Sequence, residues 1–265
     1  MKIMGILNVT PDSFSDGGKY IDLELAVAHA KKLINDGAHL IDIGGESTRP
    51  GATVVTEEEE LKRVIPVIKA LRKHVDVPIS IDTYKAEVAK QAVLAGAALI
   101  NDVTAGNGDE LMYETMAAMN VPVILTHNRK KEEETTSCDD IVAQVKRELQ
   151  RDANRAIAAG VSADKIIIDP GIGFGKSLEQ NIQLLKGLKN LQQLGYPVML
   201  AASKKRTIKA LSDSELPEDL TMGTVATTLH AYAQGMDYVR VHDVKENAVA
   251  LKVFKKISKD GMMSQ

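Results

Sequence analysis

The chain has 265 residues, of which 44% are hydrophobic and only 3% aromatic, with no tryptophan. Its core must therefore be built from aliphatic side chains, and the length suits one large α/β barrel. The formal net charge of −3 provides no overall positive field, so we predict no nucleic-acid partner. The single cysteine, Cys138, excludes an intrachain disulfide and any zinc site made of several cysteines.

The hydrophobic segments are all short. No run reaches the roughly 18 apolar residues of a transmembrane helix, so we predict no membrane span. The apolar segment at residues 1–9 is too short for a secretory signal, and polar turn residues follow it at once. We therefore expect a cytoplasmic protein.

Eight short segments with the composition of β-strands alternate with helical patterns. Several are apolar without alternation, which is typical of strands buried on both faces. The predicted strands lie at residues 2–8, 39–45, 78–83, 98–104, 122–127, 166–171, 197–203 and 238–243. Eight strands alternating with helices favour an α/β fold of the (β/α)₈ TIM barrel type, as a single domain over residues 1–265. A doubly wound open sheet is the alternative, since alternation alone does not show that a sheet closes.

Helices are predicted between the strands. In residues 21–36 and 57–74, apolar side chains recur on one helical face. Glycines end several of these patterns just before the next strand begins, as is typical of helix–strand connections in α/β units. These glycines are Gly37, Gly96, Gly160, Gly195 and Gly235.

Polar residues end most of the predicted strands, where a barrel core would exclude them. They are Asn8, Asp82, Asn101, His127, Asp169, Ser203, Arg240 and His242. Barrel active sites are built from the carboxyl ends of the strands and the loops that follow. We therefore expect these side chains to meet at one mouth. A strand-end Asp can also simply start a turn, and His127 fits site lining and packing equally well.

The residue types at these positions indicate a ligand class. Carboxylate and amide oxygens of Asp82, Asn101 and Asp169 suit a guanidine-like edge, as in a 2-amino-4-oxo-pyrimidine ring. The carbonyl of such a ring suits a cation such as Lys205. A second group of residues suits a phosphate or pyrophosphate with Mg²⁺ beside it, namely Arg49, Arg240, His242 and Asn8. Spacing alone predicts a flat heterocycle with a phosphorylated arm, without separating a pterin from a purine.

Four loop sequences are more specific than the strand ends. They read NVTPDSFSDGG at 8–18, DIGGESTRPGA at 42–52, DPGIGFGK at 169–176 and VRVHD at 239–243. In this order and spacing they resemble the signatures of the dihydropteroate synthase family. Shorter matches at 81–83, 100–102 and 203–205 fall on its other site strands. The resemblance covers nearly the whole chain.

The resemblance implies a reaction of folate synthesis. Enzymes of that family join 6-hydroxymethyl-7,8-dihydropterin pyrophosphate to 4-aminobenzoate and release pyrophosphate and 7,8-dihydropteroate. Sulfonamides, which are similar in shape to 4-aminobenzoate, are then expected to compete with it. The family also implies Mg²⁺ as cofactor and a homodimer formed through outer helices.

The resemblance also implies individual roles. Pterin binding is expected from Asp82, Asn101, Asp169 and Lys205. The 4-aminobenzoate position is expected beside Thr48, Arg49, Pro50, Phe174 and Ser203. Pyrophosphate is expected at Asn8, Arg240 and His242, with Asn8 as the Mg²⁺ ligand. The expected catalytic residues are Asp82, Lys205 and Arg240.

The chemistry favours a dissociative, SN1-like substitution. An aryl amine needs no strong base, so the departure of pyrophosphate is the step that cations and Mg²⁺ must assist. The methylene cation that remains shares its charge with the dihydropterin ring, and Asp82 would stabilise it. The loops at residues 10–18 and 47–51 are expected to close over the site and exclude water.

Three departures from the family pattern flank the predicted site. Lys204 stands where the family usually has Arg, and Thr207 stands where an aromatic residue is expected. Strand five reads LTHN, where the family more often has Met before His127. These changes bear on affinity for 4-aminobenzoate or sulfonamides.

Two other functions fit parts of the pattern. A pterin-dependent methyltransferase domain would have a similar barrel and ring pocket, but it has no use for a pyrophosphate site such as Arg240 and His242. A non-catalytic pterin-binding module would keep the pocket without turnover. Four retained residues argue against that module, namely Asp82, Arg49, Lys205 and Arg240.

Overall fold

The computed structural model of the protein describes residues 1–9, 19–46, 54–129 and 140–258. The strands are β1 (Lys2–Asn8), β2 (Leu40–Gly44), β3 (Ile79–Asp82), β4 (Leu99–Asp102), β5 (Val123–Thr126), β6 (Ile166–Asp169), β7 (Met199–Leu200) and β8 (Tyr238–Val241). The α-helices are α1 (Lys19–Asn35), α2 (Glu57–Leu71), α3 (Ala86–Ala95), α4 (Met112–Met119), α5 (Ile141–Ala158), α6 (Leu178–Lys186), α7 (Arg206–Ser212), α8 (Pro217–Ala233) and α9 (Val244–Ile257). Each strand is thus followed by at least one helix.

The strands form one parallel sheet in the order β6–β5–β4–β3–β2–β1–β8–β7. A parallel bridge between Ile168 in β6 and Val198, directly before β7, joins the two edges. The sheet therefore closes into the predicted (β/α)₈ barrel. The alternative of a doubly wound open sheet is wrong.

All eight predicted strands are confirmed, with β7 the most shortened. Pro197 precedes it, and proline has no N–H to donate to a neighbouring strand. The predicted helices at 21–36 and 57–74 correspond to α1 and α2. The five glycines predicted to end helices all have positive φ, from 78° at Gly235 to 117° at Gly96. Side chains rarely adopt this backbone conformation, so glycine is favoured where the chain leaves each helix.

Alternate strand residues face the helices and the barrel interior. Outward side chains, such as those of Ile41, Ile43 and Ile81, pack into the main core with Val64 and Ile68 of α2. A second apolar cluster fills the floor of the barrel and consists of Met4, Leu40, Leu99, Ile124, Ile167, Met199 and Ala201. Residues two positions further along each strand share the inward face, and several of those above the floor are buried polar residues, such as Asp42, Asn101 and Asp169.

None of the described helices is long and apolar enough to cross a membrane.

Candidate active site

Polar side chains form a level of the barrel interior at the carboxyl ends of the strands. In the parallel register, Asn8 of β1 pairs with Gly44 of β2, Gly44 with Asp82 of β3, and Asp82 with Asn101 of β4. A Cβ atom built on Gly44 would lie 3.7 Å from Asp82 Oδ2 and 3.8 Å from Asn8 Oδ1. Asn8 and Asp82 therefore lie on either side of Gly44, next to each other at the barrel mouth.

Arg240 of β8 connects two carboxylates. Its Nε donates to Asp42 Oδ2 and its Nη2 to Asp82 Oδ2, each at 2.6 Å. Asp42 is fully buried, and the Arg240 side chain is only 16% exposed. Burial alone would lower the pKa of Arg240, but Asp42 and Asp82 raise it above its usual value. The guanidinium is therefore a permanent cation beneath the mouth.

Four buried oxygens at this level accept no hydrogen bond from the described residues. They are Asp42 Oδ1, Asp82 Oδ1, Asn101 Oδ1 and Asp169 Oδ2. The other polar atoms of two of these groups are engaged. Asn101 Nδ2 donates to Asp42 Oδ2 at 3.0 Å, and Asp169 Oδ1 accepts from the Gly171 N–H at 2.6 Å. Because buried acceptors without donors are costly, the arrangement suits a ligand that presents several N–H groups.

Two acids of this pocket, Asp82 and Asp169, have raised pKa values. Burial raises the pKa of Asp82 to about 7, against the opposing charge of Arg240. Burial likewise raises the pKa of Asp169, against the opposing charge of Lys205. A ligand N–H bonded to either carboxylate favours its ionised form. Near neutral pH, a donor-rich ligand therefore stabilises the anionic pocket.

Lys205 lies between the pocket and the loop that follows β6. Its ammonium donates to the Ile172 carbonyl at 2.7 Å and lies 4.4 Å from the centroid of the Phe174 ring. Burial lowers the pKa of Lys205 to about 8, although Asp169 acts in the opposite direction. The ammonium is thus a cation at neutral pH that suits a ring carbonyl. Phe174, expected at the 4-aminobenzoate position, thus adjoins Lys205, which is expected in the pterin pocket.

Ser203 and His242 contact each other above β7 and β8. The distance between Ser203 Oγ and His242 Nδ1 is 2.9 Å, and the His242 N–H donates to the same Oγ at 3.2 Å. Ser203 was predicted beside 4-aminobenzoate and His242 beside pyrophosphate. Their hydrogen bond means that these two predicted subsites adjoin.

Two of the residues that depart from the family pattern, Lys204 and Thr207, are accommodated locally. Lys204 has φ of 53°, and its ammonium pairs with Asp243 at 2.8 Å. Thr207 is 4% exposed in α7. The charge of Lys204 is thus neutralised at the start of α9 by a residue outside the predicted substrate-binding set.

A buried lysine braces the loop after β6. Lys176 is 3% exposed and donates to the carbonyls of Gly171 at 2.8 Å, Phe174 at 2.9 Å and His127 at 3.3 Å. Burial lowers the pKa of this ammonium to about 7. Lys176 therefore ties the loop that carries Phe174 to the end of β5.

His127 packs toward α5. Its Nε2 lies 2.7 Å from Glu148 Oε2, and the residue is 2% exposed. Burial lowers the pKa of His127, whereas the hydrogen bond from His127 lowers the pKa of Glu148 to about 2. This contact favours packing over site lining for the histidine.

Part of the predicted site lies outside the described residues. This applies to Thr48, Arg49 and Pro50 of the expected 4-aminobenzoate position, and to the expected closing loops at residues 10–18 and 47–51. Among the described residues, Asp82, Asn101 and Arg240 belong to one hydrogen-bonded group that includes Asp42. Asn8 adjoins that group across Gly44.

The sequence prediction missed Asp42. Asp42 lies two residues before the end of β2, so it is not among the polar residues that end strands. A signal was nevertheless present in the alternation of the strand. Leu40, Asp42 and Gly44 share the inward face, and a carboxylate on that face of a buried strand is unusual without a partner.

Comparisons with known proteins identify the family of this chain. The family model for the pterin binding enzyme matches residues 4–242, so the chain belongs to the pterin-binding enzymes. A dihydropteroate synthase of Clostridium beijerinckii is 49% identical over 252 residues, covering 95% of this chain and 92% of that protein. Within the pterin-binding enzymes, the chain belongs to the dihydropteroate synthases, which are transferases.

Solved structures give the same result. The Xanthomonas albilineans dihydropteroate synthase with 4-aminobenzoic acid is 48% identical, with a TM-score of 0.91 over 97% of this chain and 92% of that one. A Yersinia pestis dihydropteroate synthase in complex with a sulfonamide drug is 42% identical, with a TM-score of 0.87 over 96% of this chain and 92% of that one. These relatives perform the synthase reaction, so the methyltransferase alternative has no support here.

Proposed function

We propose that the acceptor-rich pocket at the barrel mouth binds the ring of 6-hydroxymethyl-7,8-dihydropterin pyrophosphate. The observation that carries this assignment is the set of buried oxygens on Asp82, Asn101 and Asp169 that lack donors among the described residues. The amino and ring N–H groups of a dihydropterin supply such donors. Its ring carbonyl then faces the Lys205 ammonium.

The pyrophosphate arm is proposed to lie across β8 and β1. Arg240 offers a permanent cation, and His242 follows it by two residues on the same inward face. The 4-aminobenzoate is proposed to lie beside Phe174 and Ser203, with Thr48, Arg49 and Pro50 completing that position. The contact between Ser203 and His242 supports the close approach of the two substrates that bond formation requires.

Mg²⁺ is proposed to bind with the pyrophosphate at Asn8. The neutral oxygen of Asn8 faces the mouth beside Gly44, and a hard cation prefers such oxygen ligands. No cluster of three His, Cys, Asp or Glu side chains suited to a metal occurs in the part of the chain that is described. A site with Asn8 as the protein ligand fits Mg²⁺ that keeps water and substrate phosphate as its other ligands. The ion would supply charge neutralisation for the departing pyrophosphate. Asn8→Ala should raise the Mg²⁺ concentration needed for half-maximal turnover.

The chain's residues support a dissociative substitution. The bond between the pterin methylene carbon and the pyrophosphate oxygen breaks, and its electron pair leaves with the pyrophosphate near Arg240. The positive charge on the methylene spreads into the dihydropterin ring, where ionised Asp82 stabilises it. The nitrogen lone pair of 4-aminobenzoate then forms the new bond and the amine loses one proton. No covalent bond to the enzyme is needed.

Positional isotope exchange tests the bond-breaking step. The pyrophosphate substrate carries ¹⁸O in the bridge between carbon and phosphorus, and it is incubated with enzyme and Mg²⁺ without 4-aminobenzoate. Scrambling of the label into non-bridging positions is expected, because reversible cleavage lets the terminal oxygens exchange places. A pterin adduct trapped on Asp82 would contradict the mechanism.

Turnover tests the assignment as a whole. Pyrophosphate release that requires 4-aminobenzoate is expected, with losses of at least about a hundredfold in Asp82→Asn and Arg240→Ala. Lys252→Ala, an exposed position on α9, serves as the control and should match the wild type. Tight dihydropterin binding without release would instead identify a binding module.

Sulfonamide competition follows from the same 4-aminobenzoate position. The Yersinia pestis relative was solved with a sulfonamide drug, and we expect sulfonamides to compete with 4-aminobenzoate in this chain. An inhibition pattern that is competitive against 4-aminobenzoate alone would support this. Inhibition that 4-aminobenzoate cannot relieve would place the drug elsewhere.

A homodimer through the outer helices is proposed. Val249, Val253 and Ile257 of α9 are 55%, 53% and 72% exposed and recur at four-residue spacing, so they share one helical face. Sedimentation should show a dimer that Val253→Glu weakens, with Lys252→Ala as the control. A wild-type monomer at micromolar concentration would contradict this.

The cytoplasmic location stays a prediction, which fractionation of cells would test.

A further inference from the structure

Asp42 is a buried carboxylate with no assigned role in the reaction. It lies on the inward face of β2, level in the register with Ile6 of β1 and Ser80 of β3. A single oxygen, Oδ2, accepts from Arg240 Nε at 2.6 Å and from Asn101 Nδ2 at 3.0 Å. One atom of Asp42 therefore contacts two residues of the mouth.

The contact with Asp42 determines which end of the Asn101 amide faces the pocket. A carboxylate paired with a guanidinium can only accept hydrogen bonds. Asn101 therefore turns Nδ2 toward Asp42 and its carbonyl oxygen away. Rotation of the amide by half a turn would place two acceptors against each other with no hydrogen between them. The pocket is thus given an acceptor at Asn101 Oδ1.

Asp42 also determines how Arg240 meets Asp82. A guanidinium commonly binds both oxygens of one carboxylate. Here Nε binds Asp42 and Nη2 binds Asp82, so Arg240 contacts only one oxygen of Asp82. The other oxygen, Oδ1, has no donor among the described residues. Without Asp42, Arg240 would be released to bind Asp82 through both oxygens and would compete with a ligand.

We propose that Asp42 is a positioning residue for the pterin ring. It fixes the Asn101 carbonyl toward the ligand and, by holding Arg240, keeps one oxygen of Asp82 open. This inference rests on the proposed assignment of Asp82 and Asn101 to the pterin. Asp42 acts through these neighbours, so its loss should weaken binding of the ring and spare 4-aminobenzoate.

The variant Asp42→Asn tests this with little change of shape. Binding of 6-hydroxymethyl-7,8-dihydropterin, which lacks the pyrophosphate, is measured by calorimetry. Its Kd should rise at least about tenfold, the scale of a lost charge-assisted hydrogen bond. The KM for 4-aminobenzoate should stay within about twofold, because a substitution that does not reach a site usually changes its energetics by no more than about 0.5 kcal/mol. Ser80→Ala is the matched control, since Ser80 is also fully buried and its Oγ has no partner among the described residues.

A double-mutant cycle isolates the link to Asn101. If Asp42 acts through the amide, the combined Asp42→Asn and Asn101→Ala variant should lose less affinity than the product of the two single losses. Full additivity would overturn this link. Each variant is measured with the same dihydropterin probe.

The pH dependence gives a readout that a merely structural role would not move. Burial raises the pKa of Asp82. The charge of Arg240 lowers this pKa, and the charges of Asp42, Glu60 and Asp102 raise it. Removing the charge of Asp42 removes a repulsion and frees Arg240 for Asp82, so the acidic limb of dihydropterin binding should move to lower pH. A loss of affinity that is uniform across pH would overturn the proposal.

The outcomes separate the two claims. Wild-type protein that fails to bind dihydropterin would overturn the proposed pocket. Wild-type binding together with an unchanged Kd in Asp42→Asn would overturn only the role of Asp42. Thermal melting checks that each variant folds. If Asp42→Asn does not fold, Asp42→Ser is used in its place. Failure of both to fold would assign Asp42 to barrel stability and reject the positioning role.

Discussion

A Cβ atom on Gly171 would lie 1.8 Å from the carbonyl oxygen of His127. The loop after β6 thus passes so close to the end of β5 that only a glycine fits. Gly171 also has φ of 67°, and its N–H donates to Asp169 Oδ1. The position of an expected pterin-binding carboxylate therefore depends on this close backbone approach.

Gly171→Ala should destabilise the protein by about 3 kcal/mol or more, because the clash with backbone adds to the cost of positive φ. Gly195→Ala is the matched control, since Gly195 has φ of 79° with nothing within 4 Å of its built Cβ atom. It should cost only about 1–2 kcal/mol. Chemical denaturation measures both, and equal losses would contradict the proposed clash.

Dihydropterin binding should have a narrow pH optimum. The pKa of Asp82 is raised to about 7, so affinity should rise with pH as this acid ionises. The pKa of Lys205 is lowered to about 8, so affinity should fall at higher pH as the ammonium loses its proton. Calorimetry of the pyrophosphate-free dihydropterin measures the profile, corrected for titration of the ligand. The acidic limb should move in Asp82→Asn, and a limb that stays unchanged there would assign it to another group such as Asp169, whose pKa burial also raises.

Phe174→Leu should move the alkaline limb to lower pH. The ring lies 4.4 Å from the Lys205 ammonium, and an aromatic face stabilises a cation by about 0.5–1 kcal/mol. Its loss should shift the limb by about half a pH unit. Phe254→Leu is a suitable control, because that ring packs edge-on against Tyr232 in α8. An alkaline limb that Phe174→Leu leaves in place would show that the ring does not act on Lys205.

Lys204→Arg should have little effect on turnover. The side chain pairs with Asp243, and arginine can keep that surface-type contact, which is worth about 0–1 kcal/mol. We expect kcat and both KM values within about threefold of the wild type, on the same energetic scale. Steady-state kinetics with and without a sulfonamide measure this. A tenfold change in the KM for 4-aminobenzoate would show that the departure from the family pattern reaches the substrate.

The barrel was predictable because its strands are apolar on both faces and end at polar residues such as Asn8, Asp82 and Asp169. These patterns are local in sequence. Closure was predicted from the strand count and the family resemblance. Strand alternation alone does not show it, because the bridge between Ile168 and Val198 joins segments that meet only through the accumulated twist and register of the whole sheet.

The candidate site divides in the same way. Asp82 and Arg240 were predicted from strand ends and from the family resemblance. In the structure, Arg240 Nη2 donates to Asp82 Oδ2 at 2.6 Å. The contacts of Asp42 were not predictable, since Arg240 lies 198 residues away in the chain. A strand-end pattern also cannot distinguish a histidine that faces a ligand from one that faces α5. For His127, the contact with Glu148 makes that distinction.

The single bridge between β6 and the segment before β7 has a consequence for motion. Within the described residues, β1 and β2 share five paired positions, whereas β6 and the segment before β7 share the single bridge between Ile168 and Val198. Amide protons along this edge should exchange with solvent sooner than those of β1 and β2, because fewer bonds must break for the edge to part. Asp169 and Lys205 stand on opposite sides of that edge. A pterin that contacts both would act as a cross-link between them. Substrate binding should therefore slow amide exchange there by holding β6 and β7 together.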